Sequence, residues 1–252
     1  LSSYNVNDTM WQYRELIRNL TVADLKNRYQ NTALGFLWSL LSPLLLALVL
    51  YFIFSHLFGS EENFAINILV GIMAWRFFAI GTSASLSAIV GKASLVTRVY
   101  IPRQILVLSN VLANIISSLL EFVILLPILL VLLGYLPMTT PLFLLIHIVY
   151  FWFIYGAGLF LSSLFVYFRD INQIWEVLIN LLFFCSPIIY PLSIIPAHIM
   201  PYYLLNPVTL FIGMYRDVMV AGDLPSLYSI GVVIGFAIAA YLVGSLVFSK
   251  LQ

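Results

Sequence analysis

Long apolar runs separated by short polar segments dominate the amino-acid sequence. They cover residues 34–58, 64–90, 105–133, 142–168, 174–191 and 228–248. A helix needs about 20 predominantly apolar residues to cross the roughly 30 Å of a bilayer's hydrocarbon core. Most runs reach this length, but the fifth has only about 18 residues up to Pro191 and is short for a full crossing. The pattern predicts an all-α polytopic membrane protein with six transmembrane helices.

Composition agrees with lipid as the solvent for most of the chain. Of 252 residues, 63% are hydrophobic and 8% are charged, whereas a soluble domain carries about 25% charged residues. A soluble fold of this size has too little interior to bury so much apolar surface. We therefore expect residues 34–252 to form one transmembrane domain.

Residues 1–33 mix basic and apolar positions before the first apolar run. Thr9 and Thr21 each begin a pattern typical of a helix start, with Gln or Asp three residues later. A basic amphipathic helix suits the headgroup layer of a membrane; an ordinary soluble helix is the alternative. The segment is predicted to be a cytoplasmic interface region with an amphipathic helix. Its basic residues are Arg14, Arg18, Lys26 and Arg28.

Basic residues are distributed unevenly about the six predicted spans. The N-terminal region, the even-numbered loops and the C-terminus hold Arg14, Arg18, Lys26, Arg28, Lys92, Arg98, Arg103, Arg169 and Lys250. The opposite side has only Arg216. Because Lys and Arg are retained in cytoplasmic loops, we expect a multi-pass protein of the cytoplasmic (inner) membrane with both termini in the cytoplasm.

Residues 91–104 form a short basic segment between the second and third predicted spans. Lys92, Arg98 and Arg103 supply its charge, and Val99 and Tyr100 add apolar surface between the two arginines. An exposed segment of this kind on the cytoplasmic face is suited to hold a soluble partner. We interpret it as a docking site.

Residues 187–223 do not have the pattern of a simple loop, because prolines interrupt an apolar segment. Proline ends a helix and favours an extended residue before it. We expect short re-entrant helices that dip into the outer leaflet, where irregular backbone is tolerated if it is buried or lines a cavity. This predicted gate region, at the extracytoplasmic mouth of a pathway, includes Pro191, Pro196, Pro201, Tyr202 and Tyr203.

Two charged residues fall near the middle of predicted spans: Arg76 in the second and Glu121 in the third. An unpaired charge at this depth costs about 2.5–3.5 kcal/mol on insertion scales. Either the two form a structural pair that joins neighbouring helices, which we favour, or they line or gate a polar path.

Aromatic residues make up 15% of the chain. Many suit the belt at a membrane interface, but those on the first and fifth runs are also suited to face a conduit for sugars. The candidates for lining a channel are Trp38, Tyr51, Trp175, Phe183, Phe184 and Tyr190. A lipid-facing position is the alternative for each of them.

The last run carries small residues at Gly231, Gly235 and Ala239, which would let another helix approach closely. The partner helix belongs either to the same chain or to a second copy.

Signals of catalysis are weak. Gly91-Lys92 is not a nucleotide-binding loop, because Leu86 and Ala93 stand where that loop needs Gly and Ser or Thr. Neither a zinc-protease motif nor a pair of catalytic carboxylates appears. We expect no enzyme activity, no cofactor or metal on this chain, and no nucleic-acid partner.

Five stretches together resemble the membrane subunits of ABC exporters for lipid-linked polysaccharides, which include O-antigen, capsular and teichoic-acid permeases. They are LKNRYQNTALGFLWSLLSPLL at 25–45, KASLVTRVYIPRQILVLSN at 92–110, VYFRDINQIWEVL at 166–178, FFCSPIIYPLSIIP at 183–196 and YLLNPVTLFIGMYRDVM at 203–219. The stretches run through the chain in the family's order. The second and sixth spans match only by their hydrophobicity.

The resemblance implies a homodimer with one ATP-binding subunit, which holds ATP and Mg, beneath each copy. The interface helix and residues 91–104 would contact those subunits. A channel for an undecaprenyl-linked, O-antigen-like polysaccharide would open between the copies, bounded by the first and fifth spans. Short helices after the fifth span would form its outer gate.

Other functions remain open at this point. Teichoic acid or capsule is an alternative cargo for an exporter of the same type. An ion-coupled transporter is less favoured, because such proteins bury several ionisable residues along their path. A membrane-embedded enzyme that modifies glycans is also less favoured, because no acid, base or metal cluster is apparent.

Overall fold

The computed structural model describes residues 12–30, 35–58 and 63–251, and these residues form helices joined by short connections. The α-helices are α1 (Arg14–Tyr29), α2 (Leu37–Phe58), α3 (Phe64–Leu86), α4 (Ala93–Arg98), α5 (Gln104–Leu133), α6 (Phe143–Tyr167), α7 (Ile171–Phe184), α8 (Met200–Tyr203), α9 (Pro207–Arg216) and α10 (Leu227–Leu251). Shorter 3₁₀ turns precede α4, α6 and α8, at Val90–Lys92, Thr140–Leu142 and Leu192–Ile194. A π-helical turn at Asp217–Ala221 follows α9.

Among the described residues, five helices are long and apolar enough to cross a membrane: α2, α3, α5, α6 and α10. The prediction of an all-helical, multi-pass membrane protein is therefore confirmed. The count of six spans is not confirmed, because the fifth run forms a helix of only 14 residues. At 1.5 Å per residue α7 is about 21 Å long, less than the hydrocarbon core of a bilayer. The helix ends at Phe184, before the proline that the sequence suggested as its end.

Helix α3 lies at the centre of the fold. Most of its residues are buried, including apolar residues on every side of the helix such as Val70, Ile72 and Phe77. It contacts α2, α5, α6 and α9. A helix that is apolar all round belongs in a protein core or a membrane, and α3 occupies the core of this bundle.

Helices α6 and α10 make the most extensive contact between two helices. A Cβ atom added to Gly244 would lie 2.1 Å from the backbone oxygen of Gly156. The two backbones therefore touch at this glycine pair, the kind of approach that small residues allow between membrane helices. The small residues noted in the sequence are elsewhere on α10: Gly231 and Gly235 have no neighbouring atom within 4 Å of an added Cβ.

Helix α1 packs along α5. It runs without a break through Thr21, so the predicted helix start at that residue is wrong. The Thr21 hydroxyl donates to the backbone oxygen of Ile17 at 2.7 Å, which places it inside the helix and not at a cap. The other predicted start, Thr9, lies outside the described residues, as do residues 1–11 and 31–34 of the N-terminal part of the chain.

Candidate functional site

The basic segment 91–104 is anchored at both ends and exposed between them. Helix α4 ends at Arg98, and the next residue, Val99, is extended. Ile101 is buried and holds the segment against the bundle. Tyr100, in contrast, is 93% exposed, and Val99 is half exposed. Val99 and Tyr100 therefore project outward beside the buried residue Ile101.

The remaining predicted docking residues differ in their surroundings. Arg98 and Arg103 are exposed, whereas Lys92 is partly buried. The Lys92 Nζ atom lies 2.6 Å from Oδ2 of Asp24 on α1. This ion pair joins the segment to the predicted interface helix, two elements that are 68 residues apart in the sequence.

The basic residues of α1 point in two directions. Arg14, Arg18 and Lys26 are exposed, as expected for the surface of an interface helix. Arg28 instead turns toward the bundle, where its NH1 group donates to Oδ1 of Asn114 on α5 at 3.3 Å. Burial lowers the pKa of the Arg28 guanidinium, against the opposing effects of Tyr29, Asp24 and Glu121.

A polar cavity of about 400 Å³ lies where α1, the start of α2, α3 and α5 meet. Its charged residues are Arg28, Arg76 and Glu121. Its other polar residues are Ser39, Ser42, Asn114, Ser117 and Ser118. Trp38, which is half exposed, also lines the cavity. This arrangement brings together the two intramembrane charges of the sequence and a third charge from the interface helix.

Arg76 and Glu121 share this cavity, but no direct ion pair joins them within the part of the chain that the structure describes. Arg76 makes two long contacts, from NH1 to Ser42 Oγ at 3.4 Å and from NH2 to Ser39 O at 3.5 Å. Glu121 is buried on the cavity wall, where Arg76 and Arg28 supply the nearby positive charges. The choice between a structural pair and a polar path stays open on these contacts.

Several donors in and around this cavity have no hydrogen-bond partner among the residues that the structure describes. They are the NH2 group of Arg28, Nε of Arg76 and the hydroxyls of Ser117 and Ser118. A buried donor without a partner costs about 1–3 kcal/mol, so such groups are normally satisfied by protein, water or ligand. Other groups on the wall are bonded: Asn114 Nδ2 donates to Phe77 O at 2.8 Å, and Ser39 Oγ donates to Phe36 O at 2.7 Å.

The aromatic residues predicted on the first run are exposed on α2. Trp38 and Tyr51 belong to a row of exposed apolar side chains that also includes Leu48 and Phe52. About a tenth of the most apolar part of α2 is buried by the rest of the chain. The corresponding share for α3 is about seven tenths. Facing a channel stays a prediction for both aromatics.

The aromatic residues predicted on the fifth run divide between two environments. Trp175 is partly buried and donates from Nε1 to Thr82 Oγ1 at 3.3 Å. Phe183 packs edge-on against Trp75. Phe184 is exposed, and no residue of α7 is fully buried. One face of α7 therefore attaches to α3, and the other faces away from the chain.

Tyr190, the last of the predicted channel residues, contacts the predicted gate. Its hydroxyl donates to Phe184 O at 2.8 Å and pairs with the Tyr203 hydroxyl. Burial raises the pKa of Tyr203. This contact ties the end of α7 to α8.

The predicted gate region, 187–223, has two parts with opposite burial. Pro196, Pro201 and Tyr202 are exposed, Pro191 and Tyr203 are partly buried, and only short helical turns form there. The second part, α9, is buried in the core. Phe211 on α9 stacks on Tyr150 with ring centroids 3.9 Å apart. Short helices lie between the last two runs, but their predicted re-entrant position is not confirmed, and α9 packs in the core.

Arg216, the last residue of α9, joins this helix to the rest of the bundle by hydrogen bonds. Its Nε donates to Asn67 O at 3.0 Å, and its NH2 donates to Ile188 O at 2.9 Å. Burial lowers the pKa of Arg216 to about 10, against the opposing effect of Asp217, so the side chain stays charged at neutral pH. One side chain thus joins α3, the turn after α7 and α9.

Sequence reasoning missed three of these residues. Arg216 was counted only as a flanking charge, and Asp24 and Asn114 were not singled out. Only Asp24 carried a signal, since a carboxylate in a basic helix implies a nearby cation. Within the described ranges, no group of three or more His, Cys, Asp or Glu residues is placed to hold a metal ion.

Comparison with known proteins gives consistent matches along the chain. Residues 15–220 match the family described as ABC-2 type transporter. An O-antigen export system permease protein RfbA of Klebsiella pneumoniae is 31% identical over 244 residues, which cover 94% of this chain and 92% of that protein. A protein of the same name from Myxococcus xanthus is 33% identical over 191 residues, or 74% of this chain and 72% of that protein.

Proposed function

Because the chain belongs to the ABC-2 type transporter family, we propose that it is the membrane subunit of an ATP-driven exporter of an O-antigen-like polysaccharide. The observation that carries the proposal is the match to proteins named for O-antigen export over 94% of the chain. The subunit moves the glycan while it is linked to an undecaprenyl carrier. ATP is hydrolysed on a separate ATP-binding subunit, which binds Mg and the nucleotide.

Two copies of the chain form the transport unit, with α2 and α7 bounding a channel between them. Both helices are apolar and poorly covered by their own chain. The exposed aromatics Trp38, Tyr51 and Phe184 then face sugar rings, whose C–H surfaces suit aromatic faces. The exposed first part of the gate region, with Tyr202 and Pro201, forms the outer mouth.

Helix α7 and the turn after it complete a sixth crossing in this proposal. The turn contains Ser186 and Ile188, which are fully buried, so the chain stays inside the protein beyond the end of α7. An even number of crossings puts both termini on one side. The strong bias of Lys and Arg toward that side identifies it as the cytoplasm of the inner membrane.

Coupling to ATP hydrolysis takes place at residues 91–104. Arg98, Tyr100 and Arg103 are exposed for contact with the ATP-binding subunit. The ion pair between Lys92 and Asp24 connects this contact to α1. Movement of the ATP-binding subunit is thereby passed to both the segment and the interface helix.

The test is copurification of the chain with the ATP-binding subunit, combined with an assay of ATP-dependent glycan export. Arg98→Glu and Arg103→Glu are expected to weaken the association or to uncouple hydrolysis from export. Lys250→Glu is the matched control, because it reverses an exposed charge near the end of α10, outside residues 91–104. Normal association and export in both arginine variants would exclude this coupling surface. Export without any ATP-binding partner would exclude the function itself.

A further inference from the structure

We propose that the polar cavity formed by α1, α2, α3 and α5 binds the phosphate group of an anionic lipid. The ligand is a lipid phosphate or diphosphate, either the linker of the exported glycan or the headgroup of a bulk phospholipid. The first of these sources rests on the proposed function, and the second does not. The site adjoins the exposed aromatic surface of α2 that is proposed to bound the channel, because Trp38 belongs to both.

Charge in the cavity favours an anion. Arg28 and Arg76 contribute two positive charges, against which Glu121 offers at most one negative charge. The guanidinium is the side chain best suited to bind phosphate, because it offers several donors in one plane. Neither arginine is neutralised by a direct ion pair with Glu121 among the described residues.

The hydrogen-bond donors without partners make the cavity suited to a ligand that offers several acceptor oxygens. Arg28 NH2, Arg76 Nε and the hydroxyls of Ser117 and Ser118 are buried and make no hydrogen bond within the described part of the chain. All of these groups can donate, and a phosphate offers several strong acceptor oxygens. One phosphate group placed among them would satisfy donors from three different helices.

Size and position fit a lipid headgroup. A volume of about 400 Å³ is within the range of roughly 300–1,000 Å³ that is typical of ligand pockets. Arg28 comes from α1, the helix expected at the headgroup layer, and the half-exposed Trp38 lies on the cavity wall. Tryptophan with a basic residue is typical of the interface between lipid and water. A lipid can then reach the site with its tail still in the bilayer.

The competing occupant is water, which would also satisfy the free donors. Glu121 separates the two possibilities, since a bound anion is repelled by its carboxylate and bound water is not. Glu121→Gln is therefore expected to raise retention of an anionic lipid severalfold, whereas Arg76→Gln is expected to lower it by about tenfold. A role limited to structure would not produce changes of opposite sign.

The experiment uses the full chain in complex with its ATP-binding subunit. The complex is incubated with phosphatidylcholine nanodiscs that contain either polyprenyl diphosphate or phosphatidylglycerol, and the lipid it retains is measured by native mass spectrometry. A third arm adds inorganic diphosphate as a competitor. Arg169→Gln is the control, because it removes an equal charge at an exposed position that contacts the Phe165 ring.

Thermal stability of each variant is measured first. If Arg76→Gln does not fold, Arg28→Gln and the double variant Ser117→Ala, Ser118→Ala test the same site. Each is expected to lose retention, the arginine variant by about tenfold and the serine variant by less. Selective retention of polyprenyl diphosphate identifies the glycan linker as the ligand, and equal retention of both lipids identifies a phospholipid site.

The proposal is overturned if the arginine variants retain lipid like the wild type, or if only inorganic diphosphate binds. It is also overturned if Glu121→Gln and Arg76→Gln change retention in the same direction. Retention is measured without ATP and without a glycan. A failure of this site therefore leaves the exporter proposal standing, and a failure of the exporter proposal leaves a phospholipid site standing.

Discussion

Arg76 and Arg216 are two partly buried arginines that the fold treats in opposite ways. The guanidinium of Arg216 donates to the backbone oxygens of Asn67 and Ile188 at 3.0 and 2.9 Å. The guanidinium of Arg76 makes contacts of only 3.4 and 3.5 Å, and its Nε has no partner in the described ranges. The first fills a slot between three parts of the chain, whereas the second lines an open cavity.

The difference shows how hydrogen-bond satisfaction separates structural charges from binding charges. A buried cation that is fully bonded stabilises one arrangement, and its removal leaves its partners unsatisfied. A buried cation with idle donors stabilises little and is available to a ligand. Partial burial does not distinguish the two arginines, but their contacts do.

The largest expected effect is that of Arg216→Met. Two buried backbone oxygens lose charged donors, so the free energy of unfolding should fall by about 3 kcal/mol. Denaturant titration of the protein in micelles measures this change. If the free energy of unfolding falls by less than about 1 kcal/mol, the hydrogen bonds of Arg216 contribute little, and Arg216 resembles Arg76.

Gly71→Ala should have an intermediate effect on stability, because the added methyl group would disturb the hydrogen bond between Arg216 and Ile188 O. A Cβ on Gly71 would lie 2.9 Å from NH2 of Arg216 and 3.4 Å from Ile188 O. The guanidinium must shift, and a loss of about 1–2 kcal/mol is expected from its weakened hydrogen bond. The assay is thermal unfolding.

Gly213→Ala is the matched control for that variant. It lies on α9, and an added Cβ meets no atom within 4 Å. Because alanine favours a helix over glycine by about 1 kcal/mol, Gly213→Ala should be neutral or stabilising. Equal destabilisation by both variants would mean that the slot at Gly71 is not the cause.

Arg76→Met should change the free energy of unfolding by less than about 1 kcal/mol, since the side chain makes only long contacts. Export should nevertheless fall, because the cavity loses half of its positive charge. Parallel measurement of unfolding and export checks both statements. If Arg76→Met destabilises the protein as much as Arg216→Met does, the contrast between the two regions is wrong.

The smallest effect is expected for Ser118→Ala. Its hydroxyl is buried and has no partner among the described residues, so its removal should leave stability unchanged or raise it by up to about 1 kcal/mol. Thermal unfolding is again the measurement. A clear loss of stability would reveal an ordered water or ligand bonded to this hydroxyl in the protein.

Much of the fold was predictable because it depends on local composition. The apolar runs around residues 64–90 and 105–133 are helices with nearly the predicted bounds, since a segment's length and hydropathy are properties of that segment alone. The short fifth run was noticed for the same reason. Its end at Phe184 was not predicted, because the turn that follows is held by burial of Ser186 and Ile188 in the core.

The candidate site was predictable only in part. Arg76 and Glu121 stand out because charges are rare in apolar runs, and residues 91–104 stand out because their basic residues are clustered. Arg28 was assigned to a basic helix surface, but in the structure its side chain lines the cavity and donates to Asn114. Arg216 was missed because its partners are backbone oxygens, which leave no mark in the sequence.

The sequence by itself determined that this chain is a helical membrane protein, where its apolar runs lie and which loops are basic. The family resemblance was also visible in it, as ordered stretches of residues. The tertiary structure decided which glycines let helices touch, which arginine is bonded and which is idle, and that Lys92 meets Asp24. The reason is physical: hydropathy accumulates along a segment, whereas a contact depends on two segments that come together only in the folded chain.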